Sequence, residues 1–76
     1  MKVVKLKPIE RIRIGSLIKL GRNQKRMQVG VLATRTGQTN DYIVKLERGV
    51  YHQVSMALLE KIQELLGVDL QIPKKT

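Results

Sequence analysis

Apolar positions along this chain follow a helical spacing in four places and alternate in two. Between Arg11 and Arg26, Ile14, Leu17 and Ile18 recur on one helical face, and Met27 closes the run. Two shorter stretches follow, Val29–Thr36 with Val29, Leu32 and Ala33 apolar, and Asn40 to about Arg48 with Ile43 and Leu46. From Met56 to Leu66 a stripe of Met56, Leu59, Ile62 and Leu66 is widened by Leu58 and Leu65. Short alternation marks both ends: KVVKL at 2–6, and Val68, Leu70 and Ile72 against Asp69 and Gln71. The pattern predicts a mainly α domain of four helices over residues 1–76. It adds a short C-terminal strand and an N-terminal segment that is either a strand or an ordered arm.

Helix-breaking and capping residues set the boundaries. Pro8 separates the N-terminal segment from the first helix. Gly15 and Gly21 each weaken that helix by roughly 1 kcal/mol relative to alanine, and Gly21 suggests close packing. Gln28 stands near the start of the second helix. Gly37 ends it in a conformation that a glycine adopts without steric cost. Thr39 is the expected N-cap of the third helix, because its hydroxyl can accept an orphan backbone N–H. Gly49 stops that helix, and Val50–Val54 reads as a loop. Ser55 caps the fourth helix, Gly67 terminates it, and Pro73 ends the final alternation; the PKKT tail is expected to fray.

A lone strand at 68–72 needs a partner, either the N-terminal segment or the same strand of a second subunit. The wide stripe of the fourth helix likewise suggests a partner surface. Leu58, Leu65, Val68, Leu70 and Ile72 are therefore the expected dimer interface, within a dimerisation segment at 55–72. Dimerisation also suits a chain of 76 residues, whose core is small.

Charge narrows the function. Twelve of the fifteen Lys and Arg residues lie within 1–54, against Glu10, Asp41 and Glu47, so the whole net charge of +9 sits there. A basic face of this kind attracts phosphate. Charge alone leaves RNA and an anionic membrane surface open. Two tyrosines without Phe or Trp argue against stacking on single-stranded bases. No stretch approaches the roughly 20 apolar residues of a membrane span, and MKVVKLKPIERIRIG lacks the apolar core of a signal peptide. The absence of cysteine removes disulfides and thiolate chemistry and suits a reducing cytoplasm. Scattered carboxylates, a single histidine and dispersed glycines offer no acid–base pair, metal site or phosphate loop. Neither an enzyme nor a cofactor or metal is expected.

The stretch MQVGVLATRTGQTNDYIVKLERG resembles the lambda-repressor-like (Xre-type) helix-turn-helix family. Leu32, Ala33, Gly37, Ile43, Glu47 and Gly49 fall at that family's positions, with Met27 in place of a leucine and Thr39 in place of the serine cap. Residues 54–70, VSMALLEKIQELLGVDL, resemble its fourth helix. Val29 stands where the family carries a phosphate-holding glutamine, and Gly30 follows it. The resemblance implies a four-helix DNA-binding domain whose helix-turn-helix spans 29–49. It implies a cytoplasmic, nucleoid-associated bacterial or phage repressor that binds double-stranded DNA as a homodimer and represses its own synthesis. The helix running into GVDLQI, together with the N-terminal arm, also resembles HipB-type antitoxins, which implies a HipA-like kinase toxin as an alternative partner.

Carried over residue by residue, the base-reading candidates are Asn40, Asp41, Tyr42 and Lys45. Asparagine can pair with adenine, lysine with guanine, and aspartate with the cytosine amine. Asp41 equally suits a helix N-terminus, and Tyr42 suits a phosphate, a thymine methyl or simple packing. Phosphate candidates are Lys25, Gln28, Arg35, Thr39, Arg48, Tyr51 and His52, with Lys25 or Arg35 compensating for Val29. Lys2, Lys5, Lys7, Arg11 and Arg13 form a basic arm, either solvated or lying on the DNA backbone. Arg22 and Glu47 occupy positions that, in the family, pair the first helix with the third.

Overall fold

The computed structural model describes residues 2–73. The elements run β1 (Val3–Lys5), α1 (Pro8–Gln24), α2 (Val29–Thr36), α3 (Asn40–Glu47), β2 (Gln53–Ser55) and α4 (Met56–Leu66). The fraying expected for the PKKT tail falls outside the described residues, Pro73 excepted. Among the described residues no helix is long and apolar enough to cross a membrane.

α1 begins three residues before the expected Arg11. Pro8 does not separate two elements; it opens the helix, where its missing N–H costs nothing and its fixed φ already fits. The Glu10 carboxylate accepts the Lys7 backbone N–H at 2.8 Å, satisfying a donor at that end. α1 stops at Gln24, two residues short of the expectation, as Arg26 takes φ +51 and the chain reverses.

α2 and α4 hold their expected limits, and α3 ends one residue early, at Glu47. Gly37 adopts φ +72 after α2, and the Ser55 hydroxyl accepts from Leu58 N–H at the start of α4. Ile14, Ile18, Leu32, Ile43, Leu59, Ile62 and Leu70 form the centre of the core.

Three expectations about strands are corrected. β1 pairs antiparallel with β2, Val4 opposite Val54, and not with the C-terminal segment. Gln53 and Val54, expected as loop, form with the capping Ser55 a strand whose middle residue is buried beside Val4. Residues 68–73 form no strand. Leu70 N–H donates to Gln63 Oε1, Gln71 N–H to Asp69 Oδ1, and Gln71 itself takes φ +55, which breaks an extended run. This segment is an anchored arm: Leu70 is fully buried, and Arg13 holds the Gln71 carbonyl at 3.0 Å.

The breadth of the α4 stripe has the same intramolecular cause. Leu58, Leu59, Ile62 and Leu66 are all buried within the subunit, while Leu65, Val68 and Ile72 are partly buried against the same core. Two of the five residues expected at a dimer surface, Leu58 and Leu70, are thus spent on the chain's own interior.

Gly15 fixes how closely α1 crosses α3. A Cβ there would overlap the Glu47 carbonyl oxygen and stand 2.8 Å from the Leu46 carbonyl oxygen. The close packing suggested for Gly21 is also present, with Val68 Cγ1 2.8 Å from where a Cβ would stand.

Candidate nucleic-acid interface

The turn between α2 and α3 is built from local hydrogen bonds. Gln38 N–H donates to the Ala33 carbonyl and Gly37 N–H to that of Thr34, closing the end of α2. The Thr36 hydroxyl bonds back to the Leu32 carbonyl at 2.8 Å. Thr39 then caps α3, its hydroxyl accepting the Tyr42 N–H at 3.1 Å. With that hydroxyl engaged as an acceptor, only its O–H remains to meet a phosphate.

Ile43 and Leu46 face inward and are almost wholly buried, which turns Asn40, Asp41, Val44 and Lys45 outward. Three of the four base-reading candidates therefore share one exposed face. Asp41 and Lys45 pair across one turn at 3.0 Å, an exposed contact that holds the ammonium charge and raises the Lys45 pKa. Gly30, on α2, lies opposite Asn40: both amide atoms stand 3.5 Å from where a Cβ would be.

Tyr42 turns the other way. Its ring stacks on that of Tyr51, centroids 4.7 Å apart and planes 21° from parallel. Burial, and then the proximity of Tyr51, push the Tyr42 hydroxyl above its ordinary pKa. The packing alternative for this residue is the geometry found. Sequence reading missed the stack, since residues nine apart share no local period; the one available signal was that the chain's two tyrosines stand close together, one in the first turn of α3 and one just after that helix.

α3 is tied to α1 by Arg22 and Glu47, as the resemblance implied. Arg22 Nε donates to Glu47 Oε2 at 2.7 Å and Nη2 to Oε1 at 3.2 Å, while Nη1 reaches the Met27 carbonyl at 2.9 Å. The two side chains are only 12% and 6% exposed. The hydrogen bond that Arg22 donates to Glu47 holds the guanidinium pKa above its usual value, against the cost of burial. One carboxylate thus fixes the C-terminal end of α3, and one arginine grips both α3 and the turn that leads into α2.

The phosphate candidates surround this face without forming one cluster. Lys25, Gln28, Arg35, Arg48 and His52 are exposed, on the α1–α2 turn, α2 and the turn after α3, and Tyr51 is half-buried in the stack. Gln28 is the N-cap residue of α2, but its side chain makes no cap hydrogen bond, so it stays free. Of the basic arm, Lys2, Lys5 and Lys7 are exposed, whereas Val4 and Leu6 are buried. Lys5 lies on the outer face of β1, whereas Arg11 and Arg13 are carried by α1 and are partly buried, so the five residues form no single arm.

This arrangement defines a helix-turn-helix. The Helix-turn-helix family model matches residues 18–72, and the chain belongs to that family, in its lambda-repressor-like branch. It is 37% identical over 57 residues to the HTH-type transcriptional regulator SlrR of Bacillus subtilis, a match covering 75% of this chain and 38% of that protein. The chain thus spans well under half the length of that curated relative. Among solved structures it is similar to the clp gene regulator ClgR from Corynebacterium glutamicum (TM-score 0.75, 27% identity, 87% of this chain and 69% of that one). It is also similar to SinR, a master regulator for biofilm formation solved in complex with DNA (TM-score 0.66, 31% identity, 76% and 92%). A hydroxypropylphosphonic acid epoxidase from S. wedmorenis contains the same fold in part of its chain (TM-score 0.78, 23% identity, 88% and 36%), a likeness of fold alone.

Proposed function

We propose that the chain is a sequence-specific, double-stranded DNA-binding module of a transcriptional repressor, acting as a homodimer on an inverted-repeat operator. The observation that carries this is the face of α3: Asn40, Asp41 and Lys45 stand outward on a helix braced from behind by the Arg22–Glu47 fork. A helix that reads bases must hold its side chains in register with base edges, and such bracing serves that need. The concentration of positive charge in 1–54 supplies the phosphate attraction. The relatives named as transcriptional regulators, and one solved with DNA, favour the same reading.

On this reading Asn40 and Lys45 read bases from the major groove, and Asp41 orients Lys45. Lys25, Gln28, Arg35 and Arg48 meet the backbone. In a dimer the two α3 helices stand about 34 Å apart, one turn of DNA. Self-association uses α4 and the arm after it, through Leu65, Val68 and Ile72, of which Ile72 also borders a groove lined by Met56, Glu60, Gln63, Asp69 and Gln71. Repression of its own synthesis follows from the family resemblance. The antitoxin alternative, with a HipA-like kinase as partner, drew in part on a C-terminal strand that residues 68–73 do not form, and none of the relatives named above is described as an antitoxin.

Selection of bound duplexes from a random pool tests the proposal. It should enrich an inverted repeat with half-sites about one helical turn apart. Binding to that repeat should weaken steeply with salt, as several phosphate contacts require. No enrichment, or affinity indifferent to salt, would overturn it. Enrichment of a single asymmetric site would overturn the dimer.

A further inference from the structure

The chain leaves α3 through Arg48 and Gly49, whose φ of +76 reverses its direction, and runs back toward β2. The stretch Val50–His52 is fixed by the backbone at its two ends. Val50 N–H donates to the Lys45 carbonyl at 3.2 Å, and the His52 carbonyl accepts Leu6 N–H at 2.8 Å. Between these points Tyr51 returns to lie over Tyr42, in the first turn of α3. The segment that follows the reading helix is thus stapled to that helix's own beginning by the chain's two tyrosine rings.

We propose that Tyr51 is a positioning residue for DNA recognition: its stack on Tyr42 locks the loop Val50–His52 to the first turn of α3, so that the base-facing and backbone-facing elements meet the duplex as one rigid unit. This rests on the DNA-binding reading above and adds to it a role that belongs to the ring and not to the hydroxyl. The neighbours of the pair agree. Val50 N–H bonds the Lys45 carbonyl, so the loop starts against the last turn of α3. A solvated loop free to swing would lose conformational freedom on each binding event; a loop already held has paid that entropy in folding.

The test separates ring from hydroxyl. Affinities are measured for the duplex enriched by selection and for a scrambled duplex of equal length, using the full chain and its Tyr51→Phe, Tyr51→Leu and Tyr51→Ala variants. Phenylalanine keeps the stack, so Tyr51→Phe should bind both duplexes like the parent. Tyr51→Leu and Tyr51→Ala should lose about three- to tenfold on the selected duplex, the scale of one aromatic pair, with little change on the scrambled one. Leucine fills the space, so its variant serves if alanine prevents folding, judged by circular dichroism. Equal losses for Phe and Ala would assign the hydroxyl a direct phosphate contact and overturn the positioning role. So would equal losses on both duplexes, or none on either. A parent chain that binds no duplex overturns the DNA reading itself, whereas the stack remains measurable as the tyrosine near-ultraviolet dichroism lost in Tyr51→Leu.

Discussion

Replacing Glu47 by alanine should both destabilise the fold and weaken DNA binding. The substitution removes two charge-assisted hydrogen bonds and leaves the Arg22 guanidinium, 12% exposed, with the Met27 carbonyl as its one remaining partner. Breaking a buried pair from one side costs about 3–5 kcal/mol, because the remaining charge is left without compensation. Arg22 lies near the rim and has a long side chain that can swing toward water, so the lower end applies, about 3 kcal/mol. In a domain of this size each kcal/mol lowers Tm by roughly 4–8 °C, which gives a fall of about 12–24 °C. Thermal unfolding followed by circular dichroism at neutral pH measures it. A double variant, Arg22→Met with Glu47→Leu, should recover most of the stability, since apolar replacement of both partners is often neutral. It should not recover operator affinity, because the fork that aims α3 is gone. A Glu47→Ala protein that melts within about 3 °C of the parent would refute the reasoning, and so would full operator affinity in the double variant.

Gly15→Ala should cost about 2 kcal/mol or more by chemical denaturation, because the added methyl meets the backbone of Leu46 and Glu47, which cannot move as a side chain can. Asp41→Asn frees Lys45 from its 3.0 Å contact and removes a negative charge from the reading face. Non-specific duplex binding should tighten, while unfolding free energy changes by no more than about 0.5 kcal/mol; weaker non-specific binding would contradict the account. In Tyr51→Phe, Tyr42 is the sole tyrosine, and its tyrosinate absorbance should appear above the ordinary 10.0. A folded-state pKa raised in this way contributes stability that is complete below pH 10 and is lost as pH rises through the folded value. Titration at or below 10.0 would refute the burial.

The elements bounded by local chemistry were legible in the sequence. Gly37, Thr39, Ser55 and Gly67 each act within four residues of where they stand, and the limits of α2 and α4 and the start of α3 followed from them. The Arg22–Glu47 fork was legible only through family resemblance, since nothing local links residues 25 positions apart. The start of α1 was misjudged because Pro8 carries two opposite meanings, a break in a helix and a favoured first residue. β2 escaped notice because Gln53–Ser55 holds one apolar residue among three, too few for a period. The opposite error befell Val68–Ile72: its alternation is real, but Leu70 is buried by the subunit and its backbone is satisfied by Gln63. Alternation reports which side chains are buried, and an anchored arm produces it as readily as a strand.

The pairing of β1 with β2 has a consequence for the order in which the molecule assembles. Val3 lies opposite Ser55, so the small sheet closes a ring of about fifty residues. Contacts of such sequence separation are slow to form, because the chain entropy of closure must be lost before the contact repays it. During synthesis β1 emerges long before the partner it needs, while α2 and α3 have each other at hand. The helix-turn-helix can therefore fold around an untied N-terminal strand. The tie from Leu6 to His52 at the far end of the loop arrives last, so that a nascent chain has a reading helix before its N-terminal strand is fastened.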